Sequence, residues 1–237
     1  MKLRRQLLPD PRAVLFPRLC VLCTTPLGVE PTVCQACLAA LVPASPRDRS
    51  RMLDKGESID NLWVAFGYDD ALQTLIHLLK YREHRRLGPR LALAVHGALG
   101  SELPWSRYDC LVPIPLHWNK RRQRGYNQSL VLARALSRLA GLPVDSSLVV
   151  RQRWTRSQTG LTRAKRWANV AGSFRAATGV EGKRILLVDD VLTTGATASD
   201  CARALKAGGC REVGVITVAT PLAADLTLAP LAEPPQA

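Results

Sequence analysis

The sequence has no run of about 18 uninterrupted apolar residues, which argues against a helical membrane span. Its start, M-K-L-R-R-Q-L-L-P-D-P-R, is basic but lacks the apolar centre of roughly 7–15 residues and the small-residue cleavage site of a secretory signal. A cytoplasmic protein is therefore expected. No internal repeat is found. Neither a G-K-[ST] phosphate loop nor a G-x-G-x-x-G fingerprint occurs, so Walker-type and dinucleotide-binding readings have no support. No cysteine stands at the start to serve a glutamine-dependent amidotransferase, since the chain begins Met1-Lys2. Acidic residues are scarce, 19 against 33 Lys+Arg, for a net charge of +14. Apolar residues are not scarce: at 47% of 237 residues they are enough for a sizeable core, and disorder is not the default.

The shortage of acids is local. Residues 107–170 hold 13 Lys+Arg and only Asp109 and Asp145, so 11 of the 14 excess charges lie there. Cations this concentrated, mixed with Gly, Asn, Gln and Trp, point to an anionic partner: a polyphosphate ligand, a nucleic acid, or both.

Cysteine is unevenly spent. Cys20, Cys23, Cys34 and Cys37 form two C-x-x-C pairs ten residues apart. Four thiolates so spaced can close a tetrahedral shell around Zn²⁺ with no open position, a structural zinc ribbon. Disulfides fit less well without an export signal, and a redox pair would open a βαβ helix, which neither does. The metal would fold a segment too poor in apolar residues to fold alone. Such ribbons also bind nucleic acid or protein in some cases, and the spacing does not choose. Cys110, Cys201 and Cys210 read as small buried hydrophobes.

Organisation follows composition. Residues 1–50 form the cysteine and proline-rich module. Residues 51–106 form a strand–helix segment, with W-V-A-F-G-Y as strand and A-L-Q-T-L-I-H-L-L-K-Y and L-G-P-R-L-A-L-A-V-H-G-A-L as helices. Residues 107–225 alternate strand and helix, and 226–237 form a tail. D-C-L-V-P-I-P, R-I-L-L-V and E-V-G-V-I-T-V-A are strands; S-L-V-L-A-R-A-L-S-R-L-A and A-T-A-S-D-C-A-R-A-L-K-A are helices. Alternation of this kind, with unbroken apolar strands, predicts an α/β fold: a doubly wound, mostly parallel sheet covered on both faces.

The stretch R-I-L-L-V-D-D-V-L-T-T-G-A-T sets the chemistry. A parallel strand delivers Asp189 and Asp190 to the sheet's carboxyl edge, where such folds bind ligands. A helix starting near Ala196 offers free N–H groups to a phosphate. Thr193, Thr194 and Thr197 add hydroxyls, and Gly195 permits close approach. Carboxylates beside a phosphate site need a different target, sugar hydroxyls or a metal ion. A phosphorylated ribose meets both demands.

The string L-L-V-D-D-V-L-T-T-G-A-T resembles the phosphoribosyl pyrophosphate (PRPP) motif of type I phosphoribosyltransferases. The resemblance implies that Asp189 and Asp190 bind the ribose hydroxyls, and that Thr193, Thr194, Gly195, Ala196 and Thr197 bind the 5′-phosphate, with Mg²⁺ accompanying PRPP. V-P-I-P-L-H with K-R-R-Q-R-G-Y-N-Q-S, the 151–174 stretch R-Q-R-W-T-R-S-Q-T-G-L-T-R-A-K-R-W-A-N-V-A-G-S-F, the zinc knuckle and Lys80-Tyr81 together resemble the ComF/GntX family, competence-associated and phosphoribosyltransferase-like. The likeness covers roughly residues 15–220. One departure is Tyr126 in place of the expected Phe, which should change little.

By that resemblance, the loop after the first core strand binds pyrophosphate through Pro115, His117, Arg121, Arg124, Gly125, Asn127 and Gln128, with Lys120 and Arg122 beside them. The 151–174 stretch would be a flap, with Arg153, Gln158, Arg163 and Asn169 as polar contacts and Trp154 and Trp167 as packing. His117 is expected to be solvated rather than catalytic. No general base for a defined nucleobase is recognisable. The expected function is PRPP binding with Mg²⁺, and transfer of phosphoribose to an unidentified acceptor with release of pyrophosphate. The alternative is a non-enzymatic factor of DNA uptake whose zinc module and basic patch engage single-stranded DNA or a competence protein.

Overall fold

The structure, a computed structural model, describes residues 18–27, 32–44, 58–81, 84–152 and 163–221. The chain divides into two compact units, 1–40 and 41–237.

In the first unit, β1 (Arg18–Leu19) pairs antiparallel with β2 (Pro26–Leu27), and a short helix α1 (Gln35–Ala39) follows. Among the described residues of this unit the buried apolar side chains are Cys20, Leu27, Val33 and Leu38, too few for a core.

The second unit is built on a four-stranded parallel sheet in the order β3 (Asn61–Gly67), β8 (Glu212–Thr220), β7 (Arg184–Val191), β4 (Cys110–Pro113). The segment 51–106 thus supplies an edge strand of the same sheet. Between the strands run α2 (Asp70–Leu79), α3 (Leu87–Leu99), α4 (Trp118–Arg124), α5 (Gln128–Ala140), α6 (Arg163–Val170) and α7 (Ala196–Ala207). A two-stranded antiparallel ribbon, β5 (Val149–Arg151) with β6 (Phe174–Ala176), flanks the sheet.

Strand pleating explains why both faces are covered. Ile185, Leu187, Val213, Val215, Leu62, Val64 and Val112 share one apolar cluster with Ala198, Cys201, Ala202 and Leu205 of α7. The alternating residues Leu186, Val188, Ile216 and Leu111 are equally buried, and α3 and α5 pack on the sheet and on each other, with Leu87, Leu91, Val95, Leu132 and Leu136 buried along them. Burying each such side chain contributes about 1.5–3 kcal/mol. Every β8 residue is buried, as befits a strand flanked on both sides in the sheet and covered on both faces.

Three local details differ from the sequence reading. The strand ending in R-I-L-L-V continues through both aspartates to Val191. The basic loop after β4 contains α4, a helix with no buried residue, held by its caps: His117 Nδ1 accepts from Asn119 N–H at 3.3 Å, and Gly125 closes the helix in the left-handed region at φ 73°. Tyr126 does more than fill space. Its hydroxyl donates to the carbonyls of Leu79 and Tyr81, closing the end of α2, while Arg85 lies 5.6 Å over its ring.

Candidate functional site

The carboxyl ends of the parallel strands open onto a cavity of about 220 Å³. Its wall takes Asp189, Asp190 and Val191 from the end of β7, and Thr193 and Thr197 from the turn into α7. Ile114 and Pro115 come from beyond β4, Lys120 and Arg124 from α4, Gln128 from α5, Arg151 from β5, and Lys80 from the end of α2. Two carboxylates thus face four cations across one small space.

The acidic pair is held crosswise by the start of α5. Gln128 Nε2 donates to Asp190 Oδ2 at 3.3 Å, and Ser129 Oγ donates to Asp189 Oδ1 at 3.0 Å. The backbone N–H of Asp190 also donates to Asp189 Oδ1 at 2.9 Å, and that of Val191 to Asp190 Oδ1 at 3.0 Å. Asn127 sets the position of α5: its side-chain oxygen caps the helix on Ser129 N–H, and its Nδ2 donates to Ile114 O, each at 3.0 Å. One Asn-Gln-Ser tripeptide therefore ties the end of β4 to both aspartates. Burial pushes the Asp189 carboxyl well above the usual carboxylate range, and the neighbouring Asp190 adds to it. Hydrogen bonds from Asp190 N–H and Ser129 pull it back.

At the turn, Gly195 adopts φ 74°, a left-handed conformation that glycine takes without a Cβ penalty. Thr194 Oγ1 accepts from Ala196 N–H at 3.5 Å, so the helix start is ordered. No acidic residue lies in the first turn of α7, and the positive end of the helix dipole favours an anion there.

Of the expected pyrophosphate-loop residues, Pro115, Arg124 and Gln128 line the cavity. His117, Gly125 and Asn127 cap helices, and Arg121 is exposed. His117 is buried rather than solvated. Burial, then the charge of Arg151, hold its imidazole below the ordinary value. Arg153, Gln158 and Trp154 lie outside the described residues; Arg163 and Asn169 fall in α6, and Trp167 there is half-buried.

Two residues of the site were not singled out in the sequence. Ser129 follows directly on the quoted Gln128. Arg151 opens the quoted R-Q-R-W stretch, but nothing in that run of cations distinguishes it. Burial lowers the Arg151 pKa while Asp189 and Asp200 oppose it, and the guanidinium remains charged.

The first unit carries its own cluster. The four sulfurs of Cys20, Cys23, Cys34 and Cys37 all lie within 4.8 Å of one another. Cys20 and Cys37 are 3.9 Å apart, Cys23 and Cys34 3.7 Å. Sulfurs tetrahedrally placed at ~2.3 Å from Zn²⁺ have edges of about 3.8 Å. Backbone N–H groups of Cys34 and Cys37 donate to the sulfurs of Cys20 and Cys34, each at 3.4 Å, and Thr25 lowers the Cys23 thiol to about 6. The cluster is compatible with a structural zinc site. Among the described residues, no helix is long and apolar enough to cross a membrane.

The family description "Phosphoribosyl transferase domain" matches residues 127–227. DNA utilization protein YhgH of Salmonella typhimurium is 31% identical over 206 residues, 83% of this chain and 88% of that protein. Competence protein F of Haemophilus influenzae is 31% identical over 173 residues, 69% of this chain and 74% of its own length. Among solved structures, glutamine phosphoribosylpyrophosphate (PRPP) amidotransferase from B. subtilis superposes with a TM-score of 0.36 at 23% identity, covering 60% of this chain and 26% of that one.

Proposed function

The chain belongs to the ComF/GntX family, that of DNA utilization protein YhgH and competence protein F, and from that premise we propose that its pocket binds PRPP or a related phosphorylated ribose. One observation supports this above the others: two carboxylates, individually held by Gln128 and Ser129, share a cavity with the threonine-glycine turn and with cations on the facing wall. A single ligand that carries a diol, a 5′-phosphate and a second polyanionic group satisfies all three features.

In this reading Asp189 and Asp190 accept from the ribose hydroxyls. The 193–197 turn holds the 5′-phosphate through N–H and hydroxyl donors. Lys120, Arg124 and Lys80 face the pyrophosphate. The donors at the strand end, carboxylate and hydroxyl oxygens, suit Mg²⁺, whose part would be to neutralise charge on the departing pyrophosphate. The chain's own cations stabilise that same charge from fixed positions, and their preorganisation is the source of rate enhancement. The flap expected at 151–174, with Arg153, Gln158, Arg163 and Asn169 as contacts, would exclude water. In the first unit, Cys20, Cys23, Cys34 and Cys37 hold one structural Zn²⁺. We place the protein in the cytoplasm, where PRPP is available.

The test is calorimetric titration of PRPP with Mg²⁺ into wild type and into Asp189→Asn/Asp190→Asn, with pyrophosphate release followed on the same samples across a panel of nitrogen bases. We expect binding to wild type and none to the folded double variant. Equal affinity in both would remove the site assignment, and release stimulated by one base would identify the acceptor.

A second reading has its own support. Trp118 is 63% exposed at the start of α4, which also carries Lys120, Arg121, Arg122 and Arg124 and no acidic residue. An exposed indole on a cationic helix suits single-stranded nucleic acid, by base stacking and phosphate contact. That binding would weaken steeply with salt and be indifferent to the double aspartate change. A folded wild type that ignores PRPP but binds an oligonucleotide in this manner would put the non-enzymatic DNA-uptake role first.

A further inference from the structure

Arg151 reaches the cavity from an unexpected direction. It ends β5, which among the described residues pairs with the three-residue β6 alone, and it pairs there with Phe174. Its guanidinium lies 5.3 Å over the Phe174 ring. Val149 and Phe174 seat the ribbon in the apolar cluster it shares with α7, and the turn leading into Phe174 has a polar anchor on the same helix.

The anchor is Asp200. It is 6% exposed on α7, one turn into the helix that starts at the threonine-glycine turn. Its Oδ1 accepts from Gly172 N–H at 2.9 Å and its Oδ2 from Ser173 N–H at 2.8 Å, the two residues just before Phe174. Arg203 holds the same carboxylate at 2.6 Å. Ser173 O then accepts from Gln152 N–H at 2.8 Å, extending the ladder past Arg151. Asp200 and Asp189 are also the two carboxylates whose charge acts most on Arg151. One rigid helix thus presents the candidate phosphate turn at its end and, one turn later, fixes the ribbon that carries the cation.

With Arg151 taken among the cavity cations that face the pyrophosphate, we propose that Asp200 is the positioning residue that sets Arg151 at the correct distance from the 193–197 turn. The inference rests on the phosphorylated-ribose reading. It adds that the separation between two anionic groups of the ligand is measured by α7.

The experiment uses two probes, inorganic pyrophosphate and ribose 5-phosphate, each with Mg²⁺. Calorimetry compares wild type, Arg151→Gln, Asp200→Asn and the double variant, with thermal melts to confirm folding. Arg151→Gln is expected to weaken pyrophosphate by about tenfold or more, the loss of a charge-assisted hydrogen bond, and ribose 5-phosphate by less than about twofold. Asp200→Asn removes a negative charge, so a charge effect alone would tighten pyrophosphate. Mispositioning weakens it instead, by about threefold or more. The double variant should be no weaker than Arg151→Gln, because both changes act through one contact. Should Asp200→Asn not fold, Asp200→Glu keeps the charge, displaces the oxygens by a methylene, and carries the same expectation. Pyrophosphate affinity that is unchanged or tighter in the Asp200 variants, or losses that multiply in the double variant, would overturn the positioning role. No loss in Arg151→Gln would overturn the contact. A wild type that binds neither probe would defeat the phosphorylated-ribose reading, and this inference with it.

Discussion

Asp189 shows most directly how a side chain's surroundings decide its chemistry. An adjacent pair of aspartates on a surface loop would ionise near 3.9. At the end of β7, burial and then the neighbouring Asp190 raise the Asp189 carboxyl well above that. A carboxyl whose folded pKa is raised contributes stability that is complete below the unfolded pKa and is lost as pH rises through the folded one. Ionisation of Asp189 therefore costs stability at neutral pH in the ligand-free protein. Asp189→Asn keeps an oxygen to accept from Ser129 and from Asp190 N–H, and has nothing to ionise. We expect it to melt at a higher temperature than wild type at pH 7–8, with the gain shrinking towards pH 4. Thermal melts across that range check this, and a pH-independent difference would mean that Asp189 ionises normally. Stability gained at the expense of binding is the usual mark of a functional carboxylate.

Among the elements, the start of α5 carries the most. Asn127 is at once its cap and its tie to β4. Removing a cap of this type costs about 1 kcal/mol. Here the cost extends to function, because Gln128 and Ser129 follow immediately and each holds one aspartate. Asn127→Ala should lower stability by about that amount and weaken ribose 5-phosphate binding as well. Lost stability with unchanged ligand affinity would show that α5 finds its place without the cap. The elements also show where sequence patterns stop. The eight expected strands and helices, read from apolar runs or helical spacing, all appear; the helices at 87–99 and 196–207 match to the residue. α4 buries no residue, so it leaves no periodic trace and only its caps betray it. The β5–β6 ribbon has three residues in each strand, too few for alternation to register.

For the molecule as a whole, the division into units separates two means of stabilisation. The second unit has a layered apolar core; the first has four cysteines where a core would be. One equivalent of zinc per chain is expected. Cys20→Ser should lose it and expose residues 18–40 to protease, as metal-dependent folding requires. Full zinc retention by that variant would refute the four-sulfur shell.

The spacing of the cysteines, the run of apolar strands and helices, and the motif from Arg184 to Thr197 are local facts. Each was legible because its physics acts over a few residues: metal-ligand spacing, periodicity, a strand-to-helix turn. Gly195 belongs with them, since a turn that tight calls for glycine. What only the folded chain decided is which distant groups converge. Lys80, Ser129, Arg151 and Asp200 lie on four separate elements and no short-range pattern relates them. Sheet order β3-β8-β7-β4 brings the strand ends to one edge, and packing of α5 and α7 on opposite faces aims their first turns at it. The charge of each residue is written in the sequence; its protonation, its partner and its distance from the phosphate turn are consequences of burial and neighbours that exist only after folding.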